Sequence, residues 1–176
     1  MIVYLDPNVI LARYAPEEIH HEQAKKLLRK IETGNLSAVT SVLSLVEVVC
    51  TTSRAYEKFN HATETLGREA VAGAFLQRFL KIKKLSFIPM GGEISVKGTD
   101  EDRVEIPAIF ALALEIGSKT GVKTLDAIHL ASAALAGRLY GQKIDCFVTL
   151  DEDILKRQEA INPLIESRVT ALSEEF

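Results

Sequence analysis

The chain has 176 residues, 47% hydrophobic and 26% charged, which suits a single domain with a real core and excludes a disordered or fibrous chain. A net charge of −3 excludes a protein that coats polyanions generically, but not an enzyme whose metal ions and local cations attract phosphate. No apolar run approaches the ~20 residues of a membrane-spanning helix. Met1 leads straight into Ile2-Val3-Tyr4-Leu5, with no basic segment or cleavage signal ahead of it, so the expectation is a cytoplasmic protein.

Ile2 to Leu5 is a short β-branched and aromatic run, the pattern of a buried strand. Asp6-Pro7-Asn8 ends it and opens a helix, since proline suits a first helical turn. Pro16-Glu17-Glu18 is expected to start a second helix whose apolar or small positions are Ile19, Ala24, Leu27, Leu28 and Ile31. Gly34-Asn35 closes it, and Leu36 to Thr40 reads as a strand. Ser41 to Thr52 is densely apolar and reads as a buried helix, with Cys50 a buried small hydrophobe, as Cys146 is in its own apolar segment. A long amphipathic helix from about Ala62 to Ile82 and a strand at Leu85 to Pro89 follow. Gly91 to Glu105 reads as a loop. Helices over Pro107 to Ser118 and Leu125 to Leu139, a strand at Ile144 to Thr149, a short helix over Glu152 to Glu159 and a strand at Arg168 to Leu172 complete the chain. Alternation of this kind predicts an α/β fold, a mostly parallel sheet between two layers of helices.

Four carboxylates stand out. Asp6 and Asp151 each follow an apolar strand, where open parallel sheets bind ligands, although each could simply cap the next helix. Glu47 lies among Val42, Leu43, Leu45, Val46, Val48 and Val49, where an ionised group needs a partner or a metal. Its bland alternative is a capping box with Ser44, disfavoured because Ser41 caps the helix as well and earlier. Asp126 follows Thr124, so it falls in a first helical turn, where an acid suits the dipole. Asp153 is either a fifth acid of the site or a solvated first-turn residue. His129, one turn beyond Asp126, could face the same cleft, but a lone histidine usually has a structural partner and is left out of the catalytic set. Packed carboxylates repel unless protons or a cation lie between them, and oxygen-only donors select Mg²⁺ or Mn²⁺.

In chain order, Tyr4-Leu5-Asp6-Pro7-Asn8-Val9, Ser41-x-x-Ser44-x-x-Glu47, Leu125-Asp126-Ala127-Ile128-His129-Leu130-Ala131 and Val148-Thr149-Leu150-Asp151 resemble the motifs of the PIN domain family of metal-dependent ribonucleases. The resemblance implies a three-layer α/β/α sandwich with the acids meeting over adjacent strand ends. It also implies Mg²⁺- or Mn²⁺-dependent hydrolysis of single-stranded RNA to 5′-phosphate and 3′-hydroxyl ends, often by the toxin of a toxin–antitoxin pair. Asp6, Glu47, Asp126 and Asp151 are then the catalytic acids, and with Asp153 the metal ligands. Two departures stand: Pro7 replaces the family's usual Ser or Thr, and the chain is longer than the compact toxins, with a helical insertion expected around 54–106.

The expected partners are a single-stranded RNA substrate, an antitoxin protein and a second copy of the chain in a homodimer. Two cationic groups could guide RNA, Lys25, Lys26, Arg29 and Lys30, and Arg78, Lys81, Lys83 and Lys84. A phosphatase of the haloacid dehalogenase type is disfavoured, because its second Asp would fall where Asn8 stands. The rival from another class is a catalytically idle domain that binds RNA or protein.

Overall fold

The computed structural model describes residues 1–59, 67–91, 93–97 and 103–173. Five strands form one parallel sheet: β1 (Ile2–Leu5), β2 (Ser37–Ser41), β3 (Leu85–Ile88), β6 (Cys146–Thr149) and β7 (Arg168–Ala171), in the order β3-β2-β1-β6-β7. The chain runs outward from β1 through β2 to β3, then returns to β6 on the other side of β1. The order therefore reverses between β1 and β6, and beyond the carboxyl ends of two such strands a crevice opens.

Alternation along β1 and β6 sends successive side chains to opposite faces. Val3, Leu5, Cys146 and Val148 pack beneath α1 (Pro7–Ala12), α2 (His21–Glu32), α3 (Leu43–Arg54) and α5 (Arg68–Leu80). Tyr4 and Phe147 stack on the other face, 5.0 Å between centroids, beneath α6 (Ala108–Thr120), α7 (Thr124–Tyr140) and α9 (Gln158–Ile165). The three-layer α/β/α architecture is as the sequence predicts. Two short helices, α4 (Tyr56–Phe59) and α8 (Glu152–Lys156), complete the helical set among the described residues. No helix there is long and apolar enough to cross a membrane.

Several local expectations need correction. The second helix begins at His21 rather than near Pro16, which leaves Ile19 outside it and 87% exposed. Helix α3 is not buried all round: its inward stripe is Ser44, Val48 and Thr52, spaced i, i+4, i+8, while Val46 and Cys50 face solvent. Its composition is apolar, but only one face has α5 and α1 to pack against. Gly91 to Glu105 is not simply a loop, since β4 (Glu93–Lys97) and β5 (Arg103–Pro107) pair antiparallel as a separate hairpin. Its register pairs Val96 with Val104 and Ile94 with Ile106, an alternation hidden in the sequence by the intervening Gly and acids. The start of the long amphipathic helix predicted from Ala62 falls partly outside the described residues, and α5 spans Arg68–Leu80. The helix predicted over Glu152 to Glu159 is two helices, the second running to Ile165 through Pro163.

Candidate active site

Asp6 leaves β1 with its amide donating to the Val148 carbonyl of β6 at 3.0 Å, which places it at the strand-order reversal. It occupies the N-cap position of α1 without making a side-chain cap, so the bland reading of this residue fails. Its carboxylate turns sideways instead. Oδ2 accepts from the Thr149 hydroxyl of β6 and from Asn8 Nδ2 at 2.9 Å. Asn8 also receives the Leu150 amide on Oδ1 at 3.2 Å, so one side chain ties the start of α1 to the end of β6. Asp6 is almost wholly buried, and burial pushes its carboxyl up from 3.8 to about 7. Glu47 and Asp126 add to that rise, against His129 and the Thr149 hydrogen bond, which pull it down.

Asp126 stands in the first turn of α7. Thr124 does not cap this helix as expected; the N-cap position is Lys123, with no side-chain hydrogen bond. Burial raises the Asp126 carboxyl as well, followed by the charges of Asp151 and Glu47, while Lys123 and His129 oppose them. Its Oδ2 is shut away from solvent and has no hydrogen-bond partner. A buried carboxylate oxygen without a donor is costly, so this atom is the clearest opening for a ligand in the site.

Glu47 projects from α3, half-buried, and Oε2 lies 2.8 Å from His129 Nε2. The Ser41 amide donates to the Tyr4 hydroxyl at 3.2 Å, and the hydroxyl stands 2.8 Å from His129 Nδ1. The Glu47 carboxylate can only accept, so Nε2 carries a proton and donates to it; in the neutral ring Nδ1 then accepts from the Tyr4 hydroxyl. His129 is thus the residue that sequence reasoning set aside and the fold brings in. The signal was its place one turn after Asp126, on the same helical face. The capping-box reading of Glu47 fails: α3 starts at Leu43, Ser44 bonds the Thr40 hydroxyl at 2.6 Å, and neither Ser41 nor Ser44 caps the helix.

Asp151 does cap. Its Oδ1 accepts from the amides of Asp153 and Ile154 at 2.7 and 3.2 Å, which leaves Oδ2 facing Lys123 Nζ at 4.0 Å. Its own amide donates to the Thr149 hydroxyl at 2.9 Å, which couples it to Asp6 through one oxygen. Asp153 sits half-exposed in the first turn of α8, with Lys123 Nζ at 3.5 Å and Arg157 Nη1 at 3.7 Å.

The fold therefore brings Asp6 into electrostatic range of Glu47 and Asp126, and Asp126 into range of Asp151 and Glu47, with Asp153 on the rim. Among the described residues, no three His, Cys, Asp or Glu side chains close into a cation-sized cluster. The donor chemistry nevertheless fits a hard divalent ion, since all four acids offer oxygen and Asp126 Oδ2 lacks any other partner. Two of the acids also carry raised pKa values, through burial first and the charges of neighbouring acids second.

No protein-family model matches the chain, and the curated proteins searched give no match. Among solved structures it is similar to a chain of the crystal structure of VapBC2 from Rickettsia felis bound to a DNA fragment from their promoter. The TM-score is 0.58 over 97% of this chain and 98% of that one, at 12% sequence identity. The likeness is one of fold. It agrees with the parallel sheet and the flanking helices.

Proposed function

We propose that the chain is a Mg²⁺- or Mn²⁺-dependent endoribonuclease of PIN type that hydrolyses single-stranded RNA, with Asp6, Glu47, Asp126 and Asp151 as its catalytic acids. The observation that carries this reading is the buried, partnerless Asp126 Oδ2 beside an Asp6 carboxyl raised to about 7, at the point where the strand order reverses. A divalent ion there would lower the pKa of a bound water and offset charge developing on the phosphoryl group.

The chain's own residues prepare that site. Thr149 and Asn8 fix the orientation of Asp6, and Asn8 does so where Pro7 offers no hydroxyl. His129 orients Glu47 from the protein interior. Asp151 spends one oxygen on its helix and keeps the other toward the cleft, while Asp153 stands ready at the rim to hold the ion or one of its waters. Exposed Lys25, Lys26, Arg29 and Lys30 on α2 offer cations to the RNA backbone.

The likeness to a VapBC2 chain supports a toxin role with an antitoxin protein as partner; a cytoplasmic location and a homodimer as the working form are part of the same proposal. Lys123, close to both Asp151 and Asp153, favours a second reading, in which its ammonium stands in for the ion and the domain binds RNA or protein without turnover.

One assay separates the two. Single-stranded RNA incubated with the pure chain should be cut in Mg²⁺ or Mn²⁺, spared in excess EDTA, and left with 5′-phosphate ends. RNA bound but uncut in either metal supports the idle module, and cutting undiminished by chelator removes the metal mechanism.

A further inference from the structure

Beside the carboxylates lies a cleft of ≈ 400 Å³. That volume falls within the ~300–1,000 Å³ of sites that enclose small organic ligands. Asn8 and Asp151 line both the cleft and the acid site, so the two are continuous, and Asn8 also holds Asp6. The far walls are largely apolar, with Ala55 at the end of α3 and Phe59 in α4. One polar atom in this lining is unmet: His20 Nδ1, at the N-cap position of α2, is shut from solvent and has no hydrogen-bond partner.

We propose that this cleft receives one nucleobase of the RNA strand, next to the scissile phosphate, and that the part-exposed His20 imidazole lining it contacts the edge of that base. The proposal rests on the RNA-cleaving reading above and names a specificity determinant for it. A base is a flat apolar body with donors and acceptors along its edge, and single-stranded RNA is recognised by splaying such bases into slots that meet both features. The cleft supplies apolar walls, one imidazole, and a mouth shared with Asn8 and Asp151 of the acid site. An imidazole nitrogen donates or accepts according to tautomer, so the ring discriminates among bases by their edges. Sequence alone hides this site, because His20 lies outside every motif and meets Ala55 and Phe59 only through the fold.

The test has two arms on the full chain. In the first, His20 ring signals are followed by NMR during titration with AMP, GMP, CMP, UMP and ribose 5-phosphate. At least one nucleotide should bind at least about tenfold more tightly than the sugar phosphate, and Ala55→Leu, which fills the cleft, should erase that advantage. In the second, random-sequence RNA is cleaved and the cut sites are mapped. The wild type should favour one base beside the cut, and His20→Ala should lose the preference while still cutting. Equal binding of all five probes overturns the proposal, as does a cut-site preference that survives both His20→Ala and Ala55→Leu. Base-dependent binding by a chain that cuts no RNA would uphold the cleft as a base site and sink the nuclease reading, so the two can fail separately.

Discussion

Replacing Asp6 with Asn should change how the metal-free protein responds to pH. The Asp6 carboxyl is almost wholly buried and its pKa is raised from 3.8 to about 7, chiefly by burial. A group whose folded pKa lies above its unfolded one stabilises the fold while protonated. That contribution is complete below about pH 4 and is lost as pH rises through 7. At about 1.4 kcal/mol for each pH unit between those two values, the wild type should lose about 4 kcal/mol across that range. Asp6→Asn keeps an oxygen to accept from Thr149 and Asn8 but cannot ionise, so it should not share the loss. Since Asp6 makes no side-chain cap, the comparison is free of a capping change. Urea unfolding in EDTA at a series of pH values measures the difference between the two proteins, which cancels the titrating groups that do not interact with Asp6. Parallel stability profiles for wild type and variant would refute the reasoning. Mg²⁺ added at alkaline pH should return much of the wild type's lost stability and none of the variant's.

Thr149→Val removes the hydroxyl that donates to Asp6 and accepts from the Asp151 amide; unfolding should show a loss of about 1–3 kcal/mol, with the wild-type pH transition moved still higher. Asp151→Ala should cost about 1 kcal/mol in a denaturation curve and Asp151→Asn almost nothing, because the cap survives in Asn, while RNA cleavage should fall in both. His129→Ala strands the Tyr4 hydroxyl and releases Glu47, so it should lower both the melting temperature and cleavage; His129→Gln, which can donate to Glu47, should recover part of the cleavage.

The sheet and its layers were legible because strands in a parallel sheet are buried on both faces, and Ile2 to Leu5 and Cys146 to Val148 are apolar without interruption. The positions of Asp6 and Asp151 follow from the same signal, as residues just past such strands. Whether each would cap its helix was not legible: Asp151 caps and Asp6 does not, because Thr149 and Asn8 capture the Asp6 carboxylate across 143 and 2 residues of chain. For Glu47, the sequence points to the right residue through a mistaken premise. Its helix is half-exposed, and its partner is His129, 82 residues away. Cys50 was misread for the same reason, since apolar composition does not show which face of a helix finds a neighbour. The hairpin of β4 and β5 escaped because two short alternating runs set among glycine and acids resemble a loop until they pair.

The central claim is that four carboxylates form one divalent-cation site, and calorimetric titration of Mn²⁺ into the metal-free chain near pH 7 tests it most directly. Asp6 is partly protonated there, so binding should release protons, seen as a heat that varies with the ionisation enthalpy of the buffer. Asp126→Asn, which alters the partnerless buried oxygen among the four acids, should weaken Mn²⁺ binding severely while the fold persists. Buffer-independent heats, or Mn²⁺ affinity unchanged in Asp126→Asn, would contradict the account.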